Sequence, residues 1–312
     1  MSDDDHHNHA HDHAHGAGHV HAPANFGTAF TIGIALNTAF VIIEAIYGIT
    51  SNSVALLADA GHNLSDVLGL LIAWVASVLS QREPSRRYTY GLRGTSILAA
   101  LINAIFLLVS VGAIGWEAIL RLFEPVAVEG KTVMVVAGIG IVINGATALL
   151  FASGRKGDIN IKGAFLHMAA DAAISAGVVI AGLIILVTGW QWLDPIVSLA
   201  ISVTIIWATW GLLRDSVAMS LAAVPGQINP ADVQHFLERQ PGVSSVHDLH
   251  IWPMSTTEIA LTAHLVMEAG CPGDQFLLVL GDKLRHDHGI GHVTLQVERD
   301  GNLCPQKPAH VV

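Results

Sequence analysis

The chain is poor in charge and in cysteine. Only 13% of its 312 residues are Asp, Glu, Lys or Arg, about half the share of a soluble globular domain. Its two cysteines, Cys271 and Cys304, argue against a disulfide scaffold. The first 25 residues hold no basic n-region followed by a short apolar core, so no secretory signal is expected. No GxxxxGK[ST] loop occurs, which argues against an ATP-driven pump. The apolar segments contain no HExxH, which argues against a membrane metalloprotease, and no enzymatic activity is expected. The formal net charge of -10 counts 18 His as neutral, so it depends on pH and bound metal. No nucleic-acid partner is expected.

What the chain has in abundance is apolar length. Hydrophobic residues make up 52% of it. Six runs are long enough for a bilayer core of ~30 Å, which takes about 20 helical residues. They lie near Phe26–Ile49, Val54–Leu79, Ser96–Leu122, Val133–Ala152, Gly163–Thr188 and Leu193–Leu213. Polar or helix-breaking segments separate them, and Asp194-Pro195 fits a helix start with Asp as the cap. Arg82, Arg86, Arg87 and Arg93 follow the second run; Arg155, Lys156 and Lys162 follow the fourth; Arg214 follows the sixth. The opposite side has only Arg121 and Lys131. This bias predicts a multi-pass protein with both termini cytoplasmic; compact loops and the lack of a targeting signal point to the cytoplasmic (inner) membrane, with an organelle membrane as the alternative.

Inside two of these runs the same pattern recurs. His62-Asn-Leu-Ser-Asp66 lies in the second and His167-Met-Ala-Ala-Asp171 in the fifth. On a helix this spacing stacks His and Asp one turn apart on one face. A charged residue near the bilayer centre costs roughly 2.5–3.5 kcal/mol on insertion scales. No membrane-embedded Lys or Arg is available as a partner in any run. A shared divalent cation bound by two imidazoles and two carboxylates compensates most simply. Such a donor set suits tetrahedral zinc, and also Cu, Ni, Co and Fe(II); Mg and Ca prefer all-oxygen sites. Asp59, one turn before His62, is a fifth oxygen, an entry ligand or a structural group. Because metal needs neutral His and ionised Asp, protons compete for the site. Moving a divalent ion out against an inside-negative potential costs about 4.6 kcal/mol per 100 mV, and imidazole, with a reference pKa of ~6.5, suits proton exchange as the driver.

After about Asp215 the chain reads as a soluble α+β domain. Helical patterns at Pro230–Gln240, with Asn229 as N-cap, and at Phe276–His286 flank strands at Val243–Trp252, Glu258–Met267 and Val293–Glu298. The order αββαβ suggests a small ferredoxin-like sheet. Alternation puts His264 and Glu298 on its outward face and His250, with Asp248, opposite Leu249 and Ile251. The N-terminus carries His6, His7, His9, His11, His13, His15, His19 and His21 and reads as a flexible zinc-capturing tail. Three parts are therefore expected: a tail over 1–25, a six-helix membrane domain over 26–214 and a cytoplasmic domain over 215–312.

The segment Ser51–Asp66, His167 with Asp171, Pro84–Gly91, Asp194-Pro195, Val246–Trp252 and Val293–Glu298 resembles the cation diffusion facilitator family over nearly the whole chain after Phe26. The likeness is to its zinc-transporting His/Asp–His/Asp branch. It implies six transmembrane helices in the lipid bilayer, a cytoplasmic metallochaperone-like domain, a homodimer, and export of Zn2+ in exchange for protons. By position, His62, Asp66, His167 and Asp171 match the transport site. The family pattern also assigns His247, His264 and Glu298 to a stabilising metal site near the dimer interface. Parity favours His250 over His247, and the choice stays open at this level. One departure is Gly94-Thr95-Ser96, where many relatives carry an aromatic–Glu pair. Two other readings compete: a membrane-bound zinc sensor without transport, and a broader exporter of Cd, Co or Ni. Sensing alone gives no reason to bury ligands at mid-membrane.

Overall fold

The computed structural model describes residues 28–80, 82–152, 159–300 and Cys304. The His-rich tail and the Arg155-Lys156 segment lie outside the described residues. Six long helices come first: α1 (Thr28–Thr50), α2 (Val54–Ser80), α3 (Thr95–Phe123), α4 (Gly130–Ala152), α5 (Ile159–Thr188) and α6 (Leu193–Ser220). Among the described residues, α3, Gly130–Leu149 of α4, Phe165–Thr188 of α5 and α6 are long and apolar enough to cross a membrane; Ala35–Thr50 is a shorter apolar helix. Helices are the form such runs must take, since lipid offers no partner to an open backbone. Their outer faces are greasy: Val187 is 77% exposed and Trp207 80%. Water would make such faces aggregate, whereas acyl chains accept them.

The chain divides into two compact units. One comprises the described residues up to Ala60 together with Ile114–Gly211. In it the turn between α1 and α2 runs through Asn52, at φ 56°, and the Arg121 guanidinium, held by Glu117 at 2.8 Å, donates to the Asn52 carbonyl. Asp194 does not cap its own helix, as the sequence suggested. It lies inside the first turn of α6 and accepts from the Ser53 hydroxyl and from the Val54 amide at 2.8 Å. The carboxylate therefore caps α2, and Ser198 of α6 donates back to the Val54 carbonyl at 3.2 Å. Helices α4 and α5 touch through glycine. A Cβ on Gly130 would sit 2.7 Å from the Gly182 carbonyl oxygen, and one on Gly140 would meet the Phe40 ring at 2.7 Å and Ser175 Oγ at 3.0 Å. Small residues let membrane helices approach this closely.

The other unit joins Gly61–Ala113 with the described residues from Leu212 on. Helix α6 continues to Ser220, seven residues beyond the expected apolar run, because Asp215–Ser220 contains no helix breaker; Ala222, at φ 56°, closes it. The α+β part follows in the expected order: α7 (Pro230–Glu238), β1 (Ser245–Pro253), β2 (Ile259–Val266), α8 (Asp274–His288) and β3 (His292–Glu298). Asn229 caps α7, accepting the Ala231 amide at 3.1 Å. The sheet order is β1-β2-β3; β1 and β2 pair antiparallel, and α8 is the crossover that lets β3 run parallel to β2. Val233 and Leu237 of α7 and Leu280 and Leu284 of α8 share one core with Leu261 and Leu265 of β2. The β1–β2 connection meets the start of α3: Arg93 Nη1 is 2.7 Å from Glu258 Oε1, and the Thr256 amide donates to Ser96 Oγ at 3.1 Å.

Candidate metal centres

Each apolar His–Asp pattern forms a pair on its own helix. In α2, His62 Nε2 lies 3.7 Å from Asp66 Oδ2; in α5, His167 Nε2 lies 3.6 Å from Asp171 Oδ2. Both separations exceed a normal hydrogen bond. They approach the spacing of about 3.3 Å that two donors at ~2.0 Å from a tetrahedral ion adopt. Asp171 is buried. Asp59 is fully buried and accepts from Ser175 Oγ of α5 at 3.1 Å, so it ties two helices together. Glu44 in α1 and Asn144 in α4 are also buried.

A second cluster stands on the sheet. The ligand atoms of His247, His264, Glu298 and Cys304 lie within 4.8 Å of one another. His247 Nε2 is 3.2 Å from Glu298 Oε2, His264 Nδ1 is 3.0 Å from Glu298 Oε1, and Cys304 Sγ is 3.5 Å from His264 Nδ1. Register explains the gathering. His247 pairs with His264, and β3 pairs in parallel with β2, putting Gln296 beside His264 and Glu298 beside Val266, two residues on and on the same face.

The choice between His247 and His250 turns on a β-bulge. Between these residues β1 carries one extra residue, since His247 faces His264 but His250 faces Thr262. The slip brings both histidines to the same face, so the strict alternation that set them on opposite faces and favoured His250 does not hold. His247 joins His264 and Glu298. His250 instead lies 2.9 Å from Asp248 Oδ1. The sequence reading placed Asp248 with His250 but gave Asp248 no role; its carboxylate also reaches His264, with Oδ2 3.3 Å from Nε2. The signal was the acid between two histidines in His247-Asp248-Leu249-His250. His288 and His292 are not drawn in: one packs on Phe236 and the other on Tyr90.

The cluster fits a metal better than it fits hydrogen bonding. Nδ1 of His247 is buried and makes no hydrogen bond among the described residues, and His247 Nε2 and Glu298 Oε2, also buried, meet as an ion pair at 3.2 Å without hydrogen-bond geometry. Buried polar atoms are rarely left so, and two imidazoles, a carboxylate and a thiol form a tetrahedral zinc donor set. Burial by itself would raise the Glu298 pKa. Hydrogen bonds from Gln296 and Cys304 and the charges of His247 and His264 outweigh it, and the carboxyl titrates below its ordinary value. The acid is thus held in the ionised form that a cation requires.

Two family models match: the cation efflux transmembrane domain over residues 30–219 and the cytoplasmic domain of cation efflux proteins over 225–300. Among similar proteins, a cadmium, cobalt and zinc/H(+)-K(+) antiporter of Bacillus velezensis is 34% identical over 90% of this chain and 91% of its own length. The metal cation efflux system protein CzcD of Cupriavidus metallidurans is 36% identical over 88% of each. The zinc transporter ZitB of Escherichia coli is 36% identical over 84% of each. Paired His–Asp turns in apolar helices, a metal-suited cluster on a small α+β sheet and these matches agree: the chain is a multi-pass membrane protein of the cation diffusion facilitator (cation efflux) family.

Proposed function

We propose that this protein exports Zn2+ from the cytoplasm in exchange for protons. The observation that carries this reading is the repeated His–Asp turn, His62 with Asp66 and His167 with Asp171, within apolar helices. All four residues act as ligands of the transported ion. Neutral imidazole and ionised carboxylate bind it, and protonation of the same groups releases it. Relatives named for zinc, cadmium and cobalt transport support cation efflux, and the antiporter name supports exchange. Asp59 is accessory, holding α2 to α5 through Ser175.

The same reading takes six helices as spans, with both termini and the α+β domain cytoplasmic, and the protein as a homodimer. It sets the division at 26–214 and 215–312. A structural zinc in the cytoplasmic domain is held by His247, His264 and Glu298, with Cys304 as the fourth donor. Bound there, the ion cross-links β1, β2 and the chain after β3.

The test is zinc uptake into inside-out proteoliposomes with an acidic lumen, comparing wild type with His167→Ala and Asp66→Ala. Gradient-dependent uptake, lost in both variants, is expected. A protein that binds zinc but moves none under any gradient would be a sensor instead. The antiporter relative named for three metals favours running the assay with Cd2+ and Co2+ as well.

A further inference from the structure

Asp248 occupies an unusual position for an L-residue. Its φ is 51°, in the left-handed region, inside the bulge of β1. Few non-glycine residues adopt this geometry, and aspartate is among those that tolerate it. The backbone excursion delivers a carboxylate, only 9% exposed, between two imidazoles. Oδ1 faces His250 Nε2 at 2.9 Å and Oδ2 faces His264 Nε2 at 3.3 Å. The other nitrogen of His264, Nδ1, faces Glu298 at 3.0 Å and Cys304 at 3.5 Å. A neutral imidazole has one N–H and one lone pair. If Nε2 carries the proton toward Asp248, the lone pair of Nδ1 points at the cluster.

We propose that Asp248 is the positioning residue of the cytoplasmic metal site. Its carboxylate accepts the Nε2 proton of His264 and fixes the tautomer whose Nδ1 binds the ion, while His250 donates to the second oxygen and anchors the carboxylate. The proposal rests on the reading that His247, His264 and Glu298 hold zinc. Outer carboxylates of this kind orient ligand histidines and raise their basicity, and their loss costs about 10- to 100-fold in metal affinity. His250 thereby has a place in the site without touching the metal.

The experiment uses full-length protein in detergent carrying Asp66→Ala and Asp171→Ala, which silence the transport site, with the eight histidines of the N-terminal tail replaced by alanine so that they take up no metal. Asp248→Gly keeps the left-handed backbone and removes only the carboxylate; Asp248→Asn keeps the shape and removes the charge. Zinc affinity is measured by competition with a chromophoric chelator, the ligand field by the visible absorption of Co2+, and metal-free stability by thermal unfolding. The expected result is an affinity loss of about 10- to 100-fold, larger for Gly than for Asn. The Co2+ bands should shift, with the metal-free unfolding midpoint unchanged. Unchanged affinity and Co2+ spectrum in both variants would overturn the proposal, as would an affinity loss matched by a lowered metal-free midpoint. If the parent protein binds neither metal, or binds them equally well after His247→Ala and His264→Ala, the underlying site reading fails as well. Those two controls separate the failures.

Discussion

Asp194 stands in the first turn of α6, yet its oxygens serve the amide and hydroxyl that open α2. Losing a capping oxygen costs about 0.5–2 kcal/mol, and Ser53 and Val54 are buried where no water replaces it. Asp194→Ala should therefore lower the thermal midpoint of the detergent-solubilised protein, and Asp194→Asn, which keeps one acceptor, should lower it less. The sequence offered Asp194-Pro195 as a helix start, which it is, but could not say which helix the carboxylate would cap. Residue types with obvious chemistry were legible in the same partial way. His62, Asp66, His167 and Asp171 stood out because they are polar where polarity is costly. The candidate ligands of the α+β domain were ambiguous because surface histidines carry no such penalty.

At the scale of elements, the apolar runs marked six helices to within a few residues, save the end of α6, which lies seven residues further on; bilayer-length hydrophobicity admits few other forms. The strands β2 and β3 followed from plain alternation. Strand β1 was legible as a strand too, but its facing was not, because one extra residue changes the parity of everything beyond it, and no Gly or Pro announces that residue. The glycines of α4 and α5 are a further case, visible in sequence but silent about their partner. Gly182→Val places a branched side chain against the Gly130 carbonyl and the Met134 backbone. The cost of overpacking, about 1–3 kcal/mol, exceeds the roughly 1 kcal/mol or less that a better helix former regains. A lower midpoint and reduced zinc uptake are expected, and a stability equal to wild type would refute the close approach.

At the scale of the whole molecule, the two proposed metal sites should answer differently to solution conditions. Zinc binding to the proposed transport ligands should weaken as the pH falls from about 7.5 to about 5.5, because protons compete with the metal for the same imidazoles and carboxylates. Calorimetric titration of a His247→Ala, Glu298→Gln double variant, with the eight tail histidines also replaced by alanine, isolates that dependence. Zinc at the cytoplasmic cluster should raise the unfolding midpoint, since an ion at a hundred times its dissociation constant adds about 2.7 kcal/mol. Chelation should therefore lower the wild-type midpoint by more than that of the same double variant.

The glycine contact between α4 and α5 also limits how this protein can move. Two backbones that meet at Gly130 and Gly182, with Phe40 and Ser175 filling the notch at Gly140, leave no slack for one helix to slide or roll against the other. The His167–Asp171 pair is borne on α5, so any rearrangement that turns it from one side of the membrane to the other must carry α4 along as a single rod. Cross-linking α4 to α5 through engineered cysteines, in a chain whose exposed Cys271 is replaced by serine, should leave zinc uptake equal to that of the same chain before cross-linking; arrest of uptake on cross-linking alone would show that the two helices part company during the cycle.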